Sequence, residues 1–401
     1  MSAPGIFVAG IGVISAIGQN RETTVAALQS GSSGIGPITR LKTIHRNVFP
    51  VGEVKFSDEE LGGLCGLSSN LPRAALLSMM AAQEAYNDAG LHPDSGLRIG
   101  FVSANSVGGM DRTEDFFEEF KIDSRKGRLR KVVHHECGSV TELVANRLGI
   151  SDYVSTISTA CSSSANSIFH AARMISAGLL DVVIAGGTDA LTRFTLNGFN
   201  TLMILDTQPC RPLDENRKGL NLGEGAGYVV LMSEHALKKM NAKAYCFLSG
   251  YHNANDAHHQ TASSPEGLGS FMAMEGALLK SGIRTEDIGY INVHGTGTQN
   301  NDLSEGTAIR RLFGENLPKL SSTKAYTGHT LGASGGIEAV FSVLSVANGY
   351  VYPNLRFETP MKDIALLPQT VFSIDKSVRH VLSNSFGFGG NCSSLIFSAC
   401  S

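Results

Sequence analysis

The chain has 401 residues, enough for two or three average domains or for two fused halves of one large unit. Hydrophobic residues make up 42% and charged residues 17%, which describes a core-rich globular protein and excludes a disordered one. A net charge of −3 offers no general attraction to nucleic acid or acidic membranes, and no uncharged stretch is long enough to span a bilayer.

Ile6 to Val13 reads as the first strand, closed by the turn at Gly18. It lacks a preceding basic residue and is broken by glycines, so it is not a secretory h-region. Seven cysteines, an odd number with no Cys-x-x-Cys pair, point to reduced thiols and, with no leader, to the cytoplasm. A helix follows over Arg21–Ser30, then a Gly/Ser/Pro-rich stretch over 31–70 that reads as irregular. Ala74–Ala89 is a strong helix stopped by Gly90, and Arg98–Ser103 is the next strand. Asp111–Phe120 is acidic and aromatic. Residues 121–131 hold Lys121, Arg125, Lys126, Arg128, Arg130 and Lys131, a dense basic run. It reads as a solvated face or as a docking patch for an acidic partner.

The β-branched run Val154–Ile157 leads into Ser158–Gly178, where apolar positions 165, 168, 172 and 175 repeat with helical spacing. Cys161 therefore sits where a strand turns into a helix, near unpaired N–H groups and the positive end of the helix dipole. That position lowers a thiol's pKa and suits a nucleophile; the alternative is one more small buried apolar residue. Leu180–Ala185, apolar apart from Asp181, reads as a strand of the buried parallel kind. Gly223-Glu224-Gly225-Ala226-Gly227 runs into a strand rather than a helix, so it is not a pyrophosphate cradle. After a helix over Glu234–Met240, a second run of strand and helix signals begins at Tyr245. Strands alternating with helices predict a mostly parallel sheet with helix layers.

The second half supplies three further clusters: His294-Gly295-Thr296-Gly297-Thr298, Lys324 to His329, and the glycine-dense loop Asn384–Asn391. Loops after parallel strands gather at one sheet edge. Together with Cys161 they bring a thiol, two imidazoles, an ammonium and pliable backbone, a set suited to acyl chemistry.

With these motifs in this order, the chain resembles the β-ketoacyl-[acyl-carrier-protein] synthases, elongating condensing enzymes of the thiolase superfamily. The resemblance covers essentially the whole length and rests on Thr159-Ala160-Cys161-Ser162-Ser163, Gly223–Gly227, His294–Thr298, Asp302, Glu305, Lys324, Thr327-Gly328-His329 and Gly387-Phe388-Gly389-Gly390. It implies an α/β thiolase fold of two α-β-α-β-α layered halves about a pseudo-twofold axis. The nucleophile half would span 1–240 and the half with both histidines and the lysine 241–401. It also implies a homodimer, or a heterodimer with a homologous subunit.

By this resemblance Cys161 takes an acyl group from acyl carrier protein, and the N–H groups of Cys161 and Phe388 form an oxyanion hole. His294 and His329 stabilise the enolate formed as a malonyl thioester loses CO2. Lys324 keeps the histidines neutral, with Glu338 and Glu305 as its counter-charges. Phe388 also gates the acyl pocket, Val107 lines it, and Thr296, Thr298 and Thr261 bind substrate. No cofactor or metal is implied, because phosphopantetheine arrives on the carrier protein. A non-condensing chain-length-factor subunit lacks the cysteine, and a biosynthetic thiolase uses a second cysteine as base, a role for which Cys392 lies near the right loop. Departures include Asn391-Cys392 where the family has Thr-Asn, and Ala262 in place of a serine. Leu202–Asp206 with Pro209–Pro212 resembles synthases of aryl-polyene-type clusters.

Overall fold

The computed structural model describes residues 5–92 and 95–400. The first half of the chain forms β1 (Ile6–Ser15), α1 (Arg21–Ser30), α2 (Asp58–Cys65), α3 (Arg73–Asp88), β2 (Ile99–Ala104), α4 (Met110–Ile122) and α5 (Cys137–Leu148). It continues with β3 (Tyr153–Ile157), α6 (Ser163–Ser176), β4 (Val182–Asp189), α7 (Arg193–Thr201), β5 (Gly225–Ser233) and α8 (Glu234–Lys239). The second half forms β6 (Cys246–Asn255), α9 (Leu268–Ser281), β7 (Tyr290–Asn292), α10 (Gln299–Phe313), β8 (Lys319–Ser321), α11 (Lys324–Thr327) and α12 (Ser334–Asn348). It ends with β9 (Tyr350–Val351), β10 (Ser373–Ile374), β11 (His380–Gly387) and β12 (Asn391–Ser398).

Ten strands run in the order β3-β2-β4-β5-β1-β6-β12-β11-β7-β8. Outward from the β1–β6 seam the two arms repeat one another, β1-β5-β4-β2-β3 and β6-β12-β11-β7-β8, with the same sequence of antiparallel and parallel steps. The seam is thin, pairing only Phe7 with Phe247 and Val8 with Cys246. The arms are thus two copies of one βα arrangement about a pseudo-twofold axis, as a thiolase fold requires. The expectation of a mostly parallel sheet is corrected, because only β2–β3, β2–β4, β7–β8 and β7–β11 are parallel. In each arm the second strand out from the seam, β5 or β12, runs against the other four, and a reading that counts only alternating strands and helices is blind to that reversal.

α6 and α12 touch each other and strands of both arms, while α3 covers one outer face and α9 the other. These five layers place the N-termini of the two central helices side by side. α12 is buried from Ser334 to Val346, apolar nearly all round as a helix between two sheets must be. Leu331–Asn348 is accordingly long and apolar enough to cross a membrane by composition, yet 89% of it is buried inside the fold. The glycines read as a strand entry let α12 lie on bare backbone. A Cβ on Gly227 would come within 2.4 Å of the Ile337 nitrogen, and one on Gly336 within 2.4 Å of the Gly227 carbonyl oxygen.

Four helices differ from the sequence expectation. α2 lies in the stretch read as irregular, yet Ser57 and Glu60 form a capping box at its start, a signal present in the sequence. α4 is formed by the acidic-aromatic segment, whose charged face hid its periodicity. α5 and α7 are short, and their glycine, asparagine and threonine content masks them. The loop expected over Asn384–Asn391 is narrower, since β11 continues to Gly387 and only Phe388–Gly390 forms the turn.

Candidate active site

Between β3 and α6 the chain makes a tight elbow in which Ala160 adopts φ +53°, a left-handed conformation costing an L-residue about 1 kcal/mol or more. Leu331, at φ +51°, enters α12 through the same three-residue lead as Ala160 enters α6. The elbow holds Cys161 at 6% exposure, with the β11–β12 turn against it. A Cβ on Gly387 would lie 3.1 Å from the Cys161 nitrogen, so glycine is what lets the two backbones approach. The Phe388 N–H donates to the Cys161 sulfur.

Burial pushes the Cys161 thiol up to about 11, against the lowering pull of the Lys324 charge and the Phe388 N–H. The expected lowering by the helix terminus is thus corrected: removal from water outweighs the donors. The sulfur rests as a neutral thiol at pH 7. Alkylation of Cys161 by iodoacetamide, followed by mass spectrometry of its peptide, is expected to accelerate about tenfold per pH unit from pH 7 to 10. A plateau below pH 8 would mean a preformed thiolate.

His294 follows β7, and its backbone is fixed from α10. Glu305 accepts from the His294 N–H at 2.9 Å, the Gly295 N–H at 2.8 Å and Asn384 Nδ2 at 3.0 Å. Glu305 is therefore a clamp on the histidine loop, and its expected role as a counter-charge to Lys324 is corrected. The counter-charge is Glu338, whose Oε1 lies 2.5 Å from Lys324 Nζ, with both side chains buried. The rings of His294 and His329 stand 5.4 Å apart and nearly perpendicular, at 86°. His329 Nδ1 accepts the Leu331 N–H at 3.3 Å and lies 3.0 Å from Ser334 Oγ. A backbone N–H can only donate, so the neutral ring carries its proton on Nε2. Burial first, and then the Lys324 charge, hold both histidines well below the usual imidazole range. Both are neutral donors at working pH.

One cavity of about 360 Å³ is lined by Cys161, His294 and His329 together with Thr296, Thr298 and Thr261. Thr296 and Thr298 share a hydrogen bond of 2.9 Å, and Thr298 also caps α10. Val107 belongs to a second, more apolar cavity of about 640 Å³, walled largely by α7. Phe388 borders both cavities. Lys324 lines neither and acts on the thiol and imidazoles through its charge.

Residues 3–236 match the family described as beta-ketoacyl synthase, N-terminal domain, and residues 245–358 match its C-terminal domain. The chain belongs to the β-ketoacyl synthase family. This β-ketoacyl synthase is 35% identical over 406 residues to the 3-oxoacyl-[acyl-carrier-protein] synthase 2 of Staphylococcus aureus, covering 98% of this chain and 97% of that one. Its fold is similar to the ishigamide ketosynthase/chain length factor, with a TM-score of 0.93, 28% identity and full coverage of both chains. A ketosynthase in complex with its chain length factor from Xenorhabdus doucetiae aligns with a TM-score of 0.84 and 29% identity, over 99% of this chain and 98% of that one.

Several residues that shape the synthase's site carried no signal of their own in the sequence. Asp189, at the end of β4, accepts from Ser106 Oγ at 2.8 Å and from the Gly332 N–H at 2.7 Å, tying the Val107 loop to the His329 loop. Asn391 Oδ1 accepts from Ser162 Oγ, Asn166 Nδ2 and Asn253 Nδ2, each at 2.8 Å, so the departure from Thr at this position anchors the Phe388 turn onto α6. Cys392 is 3% exposed among Ala254, Ala273 and Phe386 and borders neither cavity, which removes it as the second cysteine of a thiolase.

Proposed function

We propose that Cys161 of this β-ketoacyl synthase receives an acyl group from acyl carrier protein and condenses it with a malonyl thioester as CO2 is lost. The observation that carries this reading is one cavity bounded by the thiol and both neutral imidazoles, although they come from opposite halves of the chain. In acyl transfer the Cys161 sulfur adds to the thioester carbonyl, whose oxygen takes the Cys161 and Phe388 N–H groups. The C–S bond to pantetheine then breaks. The departing sulfur takes the proton that Cys161 gave up, so no net charge is left in the dry pocket. Loss of CO2 from the malonyl thioester leaves its electron pair on an enolate, which His329 Nε2–H and His294 stabilise. The enolate carbon attacks the acyl-Cys161 carbonyl, the acyl C–S bond breaks with its electron pair on the Cys161 sulfur, a proton taken up from water regenerates the thiol, and the chain grows by two carbons. Thr296, Thr298 and Thr261 would meet the pantetheine arm, and the chemistry calls for no resident cofactor or metal. A non-condensing chain-length-factor role is disfavoured by the intact thiol–imidazole set. Incubation with an acyl-carrier-protein thioester should add one acyl mass to the Cys161 peptide, and then malonyl-carrier protein should release a β-ketoacyl product. A label on another cysteine would overturn the assignment.

We also propose a cytoplasmic dimer, whose second subunit is another copy or a homologue, joined at edge strand β3, where Val154 is exposed. Carrier protein would dock beside the basic run. Arg125 there pairs with Asp123 and Lys131 with Glu119, while Lys126, Arg128 and Arg130 are exposed and, among the described residues, form no ion pair. Lys126→Glu combined with Arg130→Glu is expected to raise the KM for carrier-bound substrate roughly tenfold at low salt, the loss shrinking as salt rises, with kcat held. An unchanged KM rules this surface out.

A further inference from the structure

The thiol–imidazole cavity grades from dry to wet along one loop. His294 and Thr296 are buried, Thr298 is half-buried, and Gln299 and Asn300 are exposed. Among the described residues lining the cavity there is no carboxylate, and both histidines are neutral. The one charged side chain among them is Lys218, which is exposed and, among the described residues, forms no ion pair. The basic run over 121–131 lines neither cavity.

The residues on either side of Lys218 fix its place. Arg217 is 7% exposed and folds inward, its guanidinium donating to the Thr298 carbonyl at 3.3 Å and to the Gln299 and Asp214 carbonyls at 3.0 Å each. A Cβ on Gly297 would come within 2.9 Å of the Gly219 carbonyl oxygen, so the two segments lie backbone against backbone. Lys218, between these anchors, is held beside the Thr296–Thr298 loop. The same segment then runs inward. The Asn221 carbonyl accepts the His329 N–H at 2.7 Å, and the Gly223 N–H donates to the His329 carbonyl at 2.9 Å. Leu222 thus lies opposite His329. Extended chain between Leu222 and Lys218 covers about 13 Å.

We infer that Lys218 binds the phosphodiester of the phosphopantetheine arm while the thioester lies between Cys161 and the imidazoles. This rests on the reading of Cys161 as the acyl acceptor and of Thr296 and Thr298 as contacts of the arm. From sulfur to phosphorus the extended arm spans about 15 Å, at the length per bond of an extended polypeptide. That span matches the run from His329 to Lys218. The arm's fixed negative charge therefore arrives at the cavity's fixed positive charge, with no carboxylate in the described lining to repel it. An ammonium on a flexible stem suits phosphate as a point charge, without bidentate geometry. The contact is the same whichever group the arm carries, so it serves acyl and malonyl thioesters alike and is separate from docking of the carrier protein itself.

The test uses the full-length protein and varies only the phosphate. Octanoyl-pantetheine is compared with its methyl phosphodiester, which carries the single negative charge of the carrier-bound arm, and Cys161 acylation is followed by mass spectrometry. The parent is expected to react roughly fivefold faster with the phosphodiester at low concentration, the gain of one partly exposed ion pair. That preference should fade as salt rises and vanish in Lys218→Ala. With octanoyl- and malonyl-carrier protein, Lys218→Ala should raise both KM values roughly fivefold with kcat held, and Lys218→Arg should keep the parent values. A phosphodiester preference that survives Lys218→Ala, or KM values that do not move, overturns the proposal. A rise confined to the malonyl thioester would assign the lysine to the malonyl carboxylate and overturn it equally. Failure of octanoyl-carrier protein to label Cys161 in the parent would instead sink the underlying reading. Melting temperatures measured alongside show that the variants are folded.

Discussion

Cys161→Ala is expected to abolish condensation, a fall on the order of 10⁴-fold or more, while malonyl decarboxylation continues within about tenfold of the parent rate. The asymmetry follows from how the site divides its labour. Among the described residues Cys161 is the only thiol bordering either cavity, so its removal leaves the enolate without an electrophile. Loss of CO2 needs only donors at the thioester oxygen, and those lie on His294 and His329 in the other half of the chain. The substitution is small, and Gly387, Phe388 and the Ala160 elbow keep their places. Stability should fall by about 1–3 kcal/mol, chiefly because the Phe388 N–H loses its acceptor in a buried setting. The measurement is mass spectrometry of carrier proteins after incubation with acyl and malonyl thioesters, with a melting curve as control. Condensed product from the variant, or acylation moving to Cys137 or Cys210, would remove Cys161 from its role.

Much of this was legible before any coordinate. Cys161 at a strand-to-helix elbow, the histidine after β7 and the Lys324–His329 segment each announce themselves by residue type and position. What the sequence hides is the set of groups that act through burial. A terminal N–H and a lysine promise an acidic thiol, but burial makes it the reverse, because sequence spacing does not report how far water is excluded. Glu305 and Glu338 look alike in the sequence. Only packing shows that one clamps the His294 backbone while the other answers Lys324. The same limit explains the sheet. Its antiparallel strands were invisible to a count of alternating elements, whereas the repeat of its two arms is a property of pairing order.

His329→Ala is the second large effect and it should strike the other half-reaction. Decarboxylation of malonyl-carrier protein is expected to fall by about a hundredfold, near the 3 kcal/mol typical of losing one donor to a developing oxyanion. Acylation of Cys161 should change by less than about tenfold, because its oxyanion donors are the Cys161 and Phe388 N–H groups and neither depends on the imidazole. The specificity of the loss rests on the tautomer. With Nδ1 occupied by the Leu331 N–H and Ser334 Oγ, the ring offers only its Nε2–H to the cavity. His329→Gln, whose amide also presents an N–H, should recover part of the lost rate, whereas a histidine acting as a base would gain nothing from glutamine. Truncation also leaves the Leu331 N–H buried without an acceptor, at a cost of about 1–3 kcal/mol, so the melting temperature should drop by a few degrees. Single-turnover acylation followed by a separate decarboxylation assay distinguishes the steps. Equal losses in both, or an unchanged decarboxylation rate, would show that the imidazole does not serve the enolate.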